Sequence, residues 1–526
     1  MELSGIVGKW FTGSCLKKNM ESGIGDMLFH SLEFFIYFPV VVLVYFFIPK
    51  RCKCLWLLAA SYYFYMSWNI GHTFLIAFST FVTWVSGLLL GRCHRTGKRR
   101  YRKWIVAASV SLNLGILFYF KYFDFLLANL NMVITRMGFP MLEKPFEIVL
   151  PVGISFYTFQ ALGYTVDVYR GEVEPEKNLF RYALFVSFFP QLVAGPIERS
   201  KNLLWQIRRI PTMSFRRLWN YERIASGLIL MLWGYFQKLV LADRLCILVD
   251  TVYQDWQQYG TAVLVLATAA FSMQIYCDFA SYSIIAIGAA KVMGFTLMEN
   301  FRAPYFSRSI QEFWRRWHIS LSLWFRDYLY IPLGGSRRGV LRGQWNRMAV
   351  FLASGLWHGA SWHYAAWGAI HGVYQAVGAQ TEGIRRRLRK KAGVDTETFS
   401  FRFGQVMVTY ILTLFALVFF RSVSMAGAFG YLKRVFTKPD PWVFTDGTLY
   451  QLGLTQADVR VLLAALVTLF FVSLIREYRG ETLDVFLARQ GLWFRWLVIL
   501  YLFGVLFLFG MYGPEYDASQ FIYFQF

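Results

Sequence analysis

The chain has 526 residues, of which 56% are hydrophobic, 19% aromatic and only 16% charged, and its mean hydropathy is +0.41. Ordinary soluble domains do not have this composition, and the sequence reads as an all-α, polytopic integral membrane protein. A net charge of +23 would point to nucleic acid in a soluble protein, but here the Lys and Arg residues gather in short loops between apolar runs, as cytoplasmic loops do, and no nucleic-acid partner is expected.

Residues 1–26 are polar and glycine-rich and lack the apolar centre of a signal peptide. Met27-Leu-Phe-His is a start-like sequence directly before the first apolar run, so 1–26 reads as an N-terminal extension or a misassigned start and 27–526 as the membrane domain. The first span runs from about Phe29 to Ile48 and stops at Pro49, Lys50, Arg51 and Lys53, a cytoplasmic end. Leu55–Trp68 and Phe74–Leu90, split by Asn69 and Gly71 and closed by the basic loop Arg92–Lys103, form a hairpin. Ile105–Leu127 is a fourth span, and the loop after it, to Glu147, falls outside. Pro151–Asp167 and Phe180–Ala194 are apolar but carry Gly153, Gly163, Pro190, Gly195 and Pro196. Non-helical backbone at membrane depth is tolerated only when buried in protein or lining a cavity, so this region is expected to line one.

A basic loop, Arg199–Arg223, leads to a span at Ile224–Leu241 and then to a long apolar run, Thr261–Met293. Asp278 within that run must face away from lipid, either as a packing partner or as part of a polar pathway. In Phe301–Gly335, arginines alternate with aromatics, and Trp314, Trp317, Leu321, Trp324 and Tyr328 recur at the spacing of one helical face. That pattern predicts an interfacial helix, ended by Pro332, Gly334 and Gly335. Arg347–Val377 follows, with His358 and His363 at its middle and cationic clusters on both sides. At roughly 30 residues it is too long for one crossing and too short for two, which predicts a re-entrant or short helical hairpin with His358 at its tip. Spans near Phe403–Phe420, Val461–Ile475 and Trp493–Met511 complete about eleven transmembrane or re-entrant segments. The cysteines Cys15, Cys52, Cys54, Cys93, Cys246 and Cys277 show neither zinc spacing nor a disulfide framework.

An ionisable group inside the bilayer is expensive and by default faces a cavity. Burial keeps a histidine there neutral and therefore competent as a base; the alternative is a buried imidazole bonded to a neighbouring carbonyl. His318, in Trp-Arg-Arg-Trp-His-Ile-Ser, adjoins Arg315 and Arg316, which are either snorkelling anchors or guanidinium forks for the phosphates of a donor. His358 and His363 lack a third ligand, so no metal centre is expected. With no Gly-x-Ser-x-Gly elbow, no phosphate-binding loop and no carboxylate dyad, the economical chemistry is a general-base histidine that deprotonates a hydroxyl for attack on an activated acyl group.

A set of motifs in fixed order supports this chemistry independently. They are Pro151-Val-Gly-Ile-Ser-Phe-Tyr-Thr-Phe-Gln160, Gln191-Leu-Val-Ala-Gly-Pro-Ile-Glu-Arg199, Asp278-Phe-Ala-Ser-Tyr-Ser283, Asn300-Phe-Arg-Ala-Pro-Tyr305, Phe313-Trp-Arg-Arg-Trp-His-Ile-Ser-Leu-Ser322, Phe325-Arg-Asp-Tyr-Leu-Tyr-Ile-Pro-Leu-Gly-Gly335, Gly355-Leu-Trp-His-Gly359 and Phe521-Ile-Tyr-Phe-Gln-Phe526. Together they resemble the membrane-bound O-acyltransferases, in the branch of the alginate O-acetylation and teichoic-acid D-alanyl-transfer membrane proteins, from Met27 onward. The resemblance implies helices around a central tunnel, His358 as active-site histidine and His318 as a second polar residue facing the tunnel. Asp278, Gln191 and Trp357 are tunnel-lining candidates, and Arg315 and Arg316 are candidate donor contacts.

The expected function is transfer of an acetyl group from a cytoplasmic thioester, acetyl-CoA or another acyl thioester, across a bacterial plasma membrane for O-acetylation of a cell-surface polysaccharide. An extracytoplasmic partner protein is expected to take part, and no bound cofactor is. The alternatives are D-alanyl transfer to teichoic acid and, in a different class, a proton-coupled transporter or flippase, which broken helices and midplane ionisable groups would also suit.

Overall fold

The computed structural model describes residues 27–144 and 147–512, so the segment 1–26 and the motif Phe521–Phe526 lie outside the described residues. Among the described residues the secondary structure is helical, with no strand. The principal helices are α1 (Leu32–Phe47), α2 (Lys53–Met66), α3 (Ile70–Arg95), α4 (Arg99–Arg136), α5 (Ile154–Arg170), α6 (Leu179–Ser187), α7 (Tyr221–Gln254), α8 (Thr261–Met293), α9 (Ile310–Arg316), α10 (Ile319–Phe325), α11 (Val340–His358), α12 (Trp362–Lys391), α13 (Phe399–Arg421), α14 (Met425–Thr437), α15 (Gln456–Arg479) and α16 (Leu492–Phe509).

Seven of these, α3, α4, α7, α8, α13, α15 and α16, are long and apolar enough to cross a membrane, and α1 is a shorter apolar helix. Their burial is graded. In α8, 72% of the most apolar window is buried, whereas in α16 the figure is 6%. An apolar helix that leaves its surface uncovered by protein is covered by lipid, so α8 is the axis of the bundle and α16 part of its wall. The protein is a multi-pass membrane protein.

The helix ends that carry basic loops gather on one face. Arg102 bonds the Tyr169 carbonyl, Arg170 donates to the Asp327 carbonyl at 2.8 Å, and Arg199 pairs with the Asp327 carboxylate at 2.9 Å. Gln380 of α12 reaches Gln344 of α11 near the same face, at 2.8 Å. We call this the basic face.

Helix α7 extends beyond the expected Leu241 to Gln254 through a π-helical turn, Phe236–Ala242. The turn places Lys238 inside the bundle, where its ammonium bonds Asp278 at 2.7 Å and Asp243 at 2.9 Å with all three side chains buried. Asp278 thus has a partner that holds two helices together, and breaking such a pair costs about 3–5 kcal/mol because a buried charge is stranded.

The segment Phe301–Gly335 corrects the expectation of one interfacial helix. It forms two short helices, α9 and α10, broken at Trp317 and His318, followed by a π-helical turn over Arg326–Tyr330. Trp314, Trp317, Leu321 and Trp324 are buried, so the segment lies within the protein. The aromatic spacing detected a buried face, and a continuous helix could not point both halves of that face into the bundle.

Candidate active site

The histidine hairpin forms as the sequence implies. Helix α11 rises from the basic face and ends at His358; residues 359–361 turn the chain, and α12 returns to the Arg385–Lys391 cluster. The two arms touch backbone to backbone. A Cβ on Gly355 would lie 2.3 Å from the Tyr364 carbonyl, and one on Gly368 would lie 2.3 Å from the Phe351 carbonyl. Small residues at a membrane helix crossing permit this approach, which fixes the register of the tip.

His358 is 4% exposed and walled by aromatics, with ring centroids of Trp357, Trp367 and Phe420 at 5.0, 5.1 and 5.3 Å. It lines two cavities. One lies toward the middle of α12 and includes Tyr305, Phe313, Trp317 and His371. The other lies beneath the loop that precedes α5 and includes Lys121, Pro151, Gly153, Val193 and Trp357. The imidazole is therefore shared by a cavity along α12 and a cavity at the start of α5. The glycine- and proline-broken stretch after Pro151 lines the second cavity, as its irregular backbone implied.

The second histidine is built in by a strained backbone. His318 has φ of +43°, and it and Ala303 are the two non-glycine residues with positive φ among those described. For an L-residue that conformation costs roughly 1–2 kcal/mol. The surroundings hold it there: the Ile319 amide donates to the Asn300 carbonyl at 2.9 Å, and the Ser320 hydroxyl and amide donate to Asn300 Oδ1 at 2.9 and 3.2 Å. His318 Nδ1 donates to the same Asn300 oxygen at 3.1 Å, which leaves Nε2 as the basic nitrogen of that ring. The His318 and His358 ring centroids are 6.4 Å apart, and His318 is fully buried.

The remaining sequence candidates divide. Trp357 lines the second cavity, whereas neither cavity at His358 is lined by Asp278 or Gln191. Asp278 is in the cluster with Lys238, and Gln191 donates to Gln160 Oε1 at 2.5 Å in the packing between α5 and the chain after α6. Arg316 is held by Glu312 at 2.5 Å and by Glu477. Arg315 is exposed and shares a cleft at the basic face with Arg302 and Arg476. His363 accepts no role at the cavities; it contacts the Phe419 carbonyl through Nδ1 at 3.1 Å and packs on Tyr364. No group of three metal-ligating residues occurs among the described residues.

Three residues of the site were not singled out from sequence. His371 lines the first cavity and accepts from Trp314 Nε1 at 3.2 Å. Asn300 supports His318. Lys121 sits in an apolar span, three residues before Asp124, and an intramembrane cation is itself a signal that could have found it.

The profile of the MBOAT, membrane-bound O-acyltransferase family, matches residues 62–415, and His318 and His358 both fall inside the match. The chain belongs to this family. It is an O-acyltransferase. The enzyme is 36% identical over 458 residues to the probable alginate O-acetylase AlgI of Pseudomonas putida, covering 86% of this chain and 89% of that protein. It is 33% identical over 441 residues to the peptidoglycan O-acetyltransferase of Helicobacter pylori, covering 77% and 79%. The teichoic acid D-alanyltransferase of Streptococcus thermophilus is 31% identical over 259 residues, covering 46% of the enzyme and 61% of that protein.

Proposed function

We propose that the enzyme takes an acetyl group from a thioester on the cytoplasmic side and delivers it to a hydroxyl on the outer side, for O-acetylation of a cell-surface polysaccharide through an extracytoplasmic partner. The observation that carries this reading is that His358 lines two cavities at once, one along α12, the arm that runs to the Arg385–Lys391 cluster, and one at the start of α5, the end of that helix away from Arg170. Donor and acceptor can meet at one imidazole without either crossing the membrane. His358 takes the proton of the acceptor hydroxyl as its oxygen attacks the thioester carbonyl; the tetrahedral intermediate expels the thiolate, which takes up the proton. His318 orients the donor or acceptor through Nε2, its other nitrogen being fixed by Asn300. Arg315, in the arginine-lined cleft, contacts phosphates of the donor. Arg316 contributes to the same cleft while paired to Glu312 and Glu477.

Family membership makes the transporter alternative unnecessary. D-alanyl transfer is the weaker reading, because the likeness to the D-alanyltransferase extends over less than half of the chain while that to O-acetylating relatives extends over most of it. The test is His358→Ala in cells producing matched protein levels, read as acetyl content of the surface polymer. General-base assistance is worth roughly two to four orders of magnitude in rate, so acetylation should fall to background. Near-normal acetylation would defeat the mechanism, and loss of ester-linked D-alanine in place of acetate would establish the weaker reading.

A further inference from the structure

A helix ends with carbonyls that have no intrahelical donor. At the C-terminus of α11 those carbonyls belong to the residues that carry the base, and they are met by side chains of another helix. Tyr122 Oη donates to the Leu356 carbonyl at 2.8 Å, and Lys121 Nζ donates to the carbonyls of Trp357 at 2.6 Å and His358 at 3.2 Å. Further along α4, Asn129 Oδ1 accepts from Trp362 Nε1 at 2.9 Å, and the Phe125 ring meets Trp362 edge-on with centroids 5.5 Å apart. Lys121, Tyr122, Phe125 and Asn129 recur at one-turn spacing and so present one face. That face grips the last residues of α11 and the first of α12.

The rest of α4 makes this grip informative. Only 17% of its most apolar window is buried, so it is largely a lipid-facing helix. A lysine on such a helix ordinarily extends toward the membrane surface. Lys121 instead turns its ammonium to the hairpin tip, where a cation complements the negative end of the α11 dipole. It also lines the second cavity beside His358. Packing alone would be served by a methionine, which has the stem without the charge.

We propose that Lys121 is a positioning residue for acyl transfer: by binding the Trp357 and His358 carbonyls it sets the place of the His358 imidazole at the junction of the two cavities. The inference rests on the reading of His358 as the base. Misplacing a reacting group by an ångström costs up to about a hundredfold in rate, and Lys121→Met removes the hydrogen bond from α4 to the carbonyl of His358.

The experiment compares Lys121→Met, Lys121→Arg and His358→Ala at matched protein levels. It reads the initial rate of acetate incorporation into the surface polymer, the thermal midpoint of the detergent-purified protein, and the rate at which diethyl pyrocarbonate modifies His358, followed by peptide mass spectrometry. Lys121→Met should lower the acetylation rate by about ten- to a hundredfold, leave the midpoint in place and speed modification of His358; Lys121→Arg, which keeps a cation, should recover most of the rate. Wild-type acetylation by Lys121→Met alongside a silent His358→Ala would overturn this inference while sparing the reading of His358. A Lys121→Met protein whose midpoint falls with its activity, with no recovery by Lys121→Arg, would assign Lys121 to folding and overturn it equally. Acetylation by His358→Ala would remove the proposed function itself.

Discussion

His358 and His318 are both imidazoles in an aromatic interior, yet different forces hold them. His358 is placed by the end of a helix and the carbonyls bonded there, whereas His318 is placed by a strained backbone locked around Asn300. The distinction orders the variants. His318→Ala should reduce acetylation by on the order of ten- to a hundredfold, the range for groups that orient a reactive partner, and so fall between His358→Ala and wild type. Asn300→Ala should approach His318→Ala, because it removes the acceptor for Nδ1 and two further bonds that hold the turn. His363→Ala should stay close to wild type, since that ring meets the Phe419 carbonyl away from both cavities. Polymer acetate in matched cells measures all three, and a His363 variant as inactive as His358→Ala would contradict this ordering.

The helical hairpin α11–α12 is the element on which the site depends, and its narrowest point is the Gly355–Gly368 crossing. A side chain at Gly355 would meet the Tyr364 carbonyl at 2.3 Å and must push the arms apart. Overpacking of this kind costs typically 1–3 kcal/mol. Gly355→Leu should therefore lower both the thermal midpoint and acetylation, because the displaced arm carries His358. A fall in acetylation with an unchanged midpoint would mean that the crossing is not what sets the tip. The hairpin was legible beforehand from its length and flanking charges, which are local properties. The broken helix pair α9–α10 was not, because aromatic periodicity reports a buried face but does not report the reversal at His318 that aims it.

For the whole molecule, entry of a cytoplasmic donor requires the basic face to be cytoplasmic. Single cysteines placed in Arg92–Lys103, Arg199–Arg223 and Arg385–Lys391 should resist membrane-impermeant thiol reagents added to intact cells and react once the membrane is opened. Labelling from outside at any of the three would invert the donor and acceptor sides. The ion pair of Arg199 with the Asp327 carboxylate ties the second of these loops to the segment between His318 and the hairpin, and Arg170 adds a hydrogen bond to the Asp327 carbonyl, so the same face that sets orientation also anchors the site.

Composition and charge placement by themselves determined that this chain is a helical membrane protein, because the cost of burying charge in lipid acts on each segment independently of the rest. The motif order identified the family, and the lone imidazoles in apolar surroundings marked His358 and His318, since an ionisable group at membrane depth is conspicuous wherever the fold puts it. Only the tertiary structure decided what those groups touch. It paired Asp278 with Lys238 across two helices, gave Arg316 to Glu477, set Asn300 under His318 and brought Lys121 to the carbonyl of His358 from more than two hundred residues away. Such contacts depend on how helices cross and rotate, which is set by packing between distant segments and leaves no period or spacing in the sequence of either one.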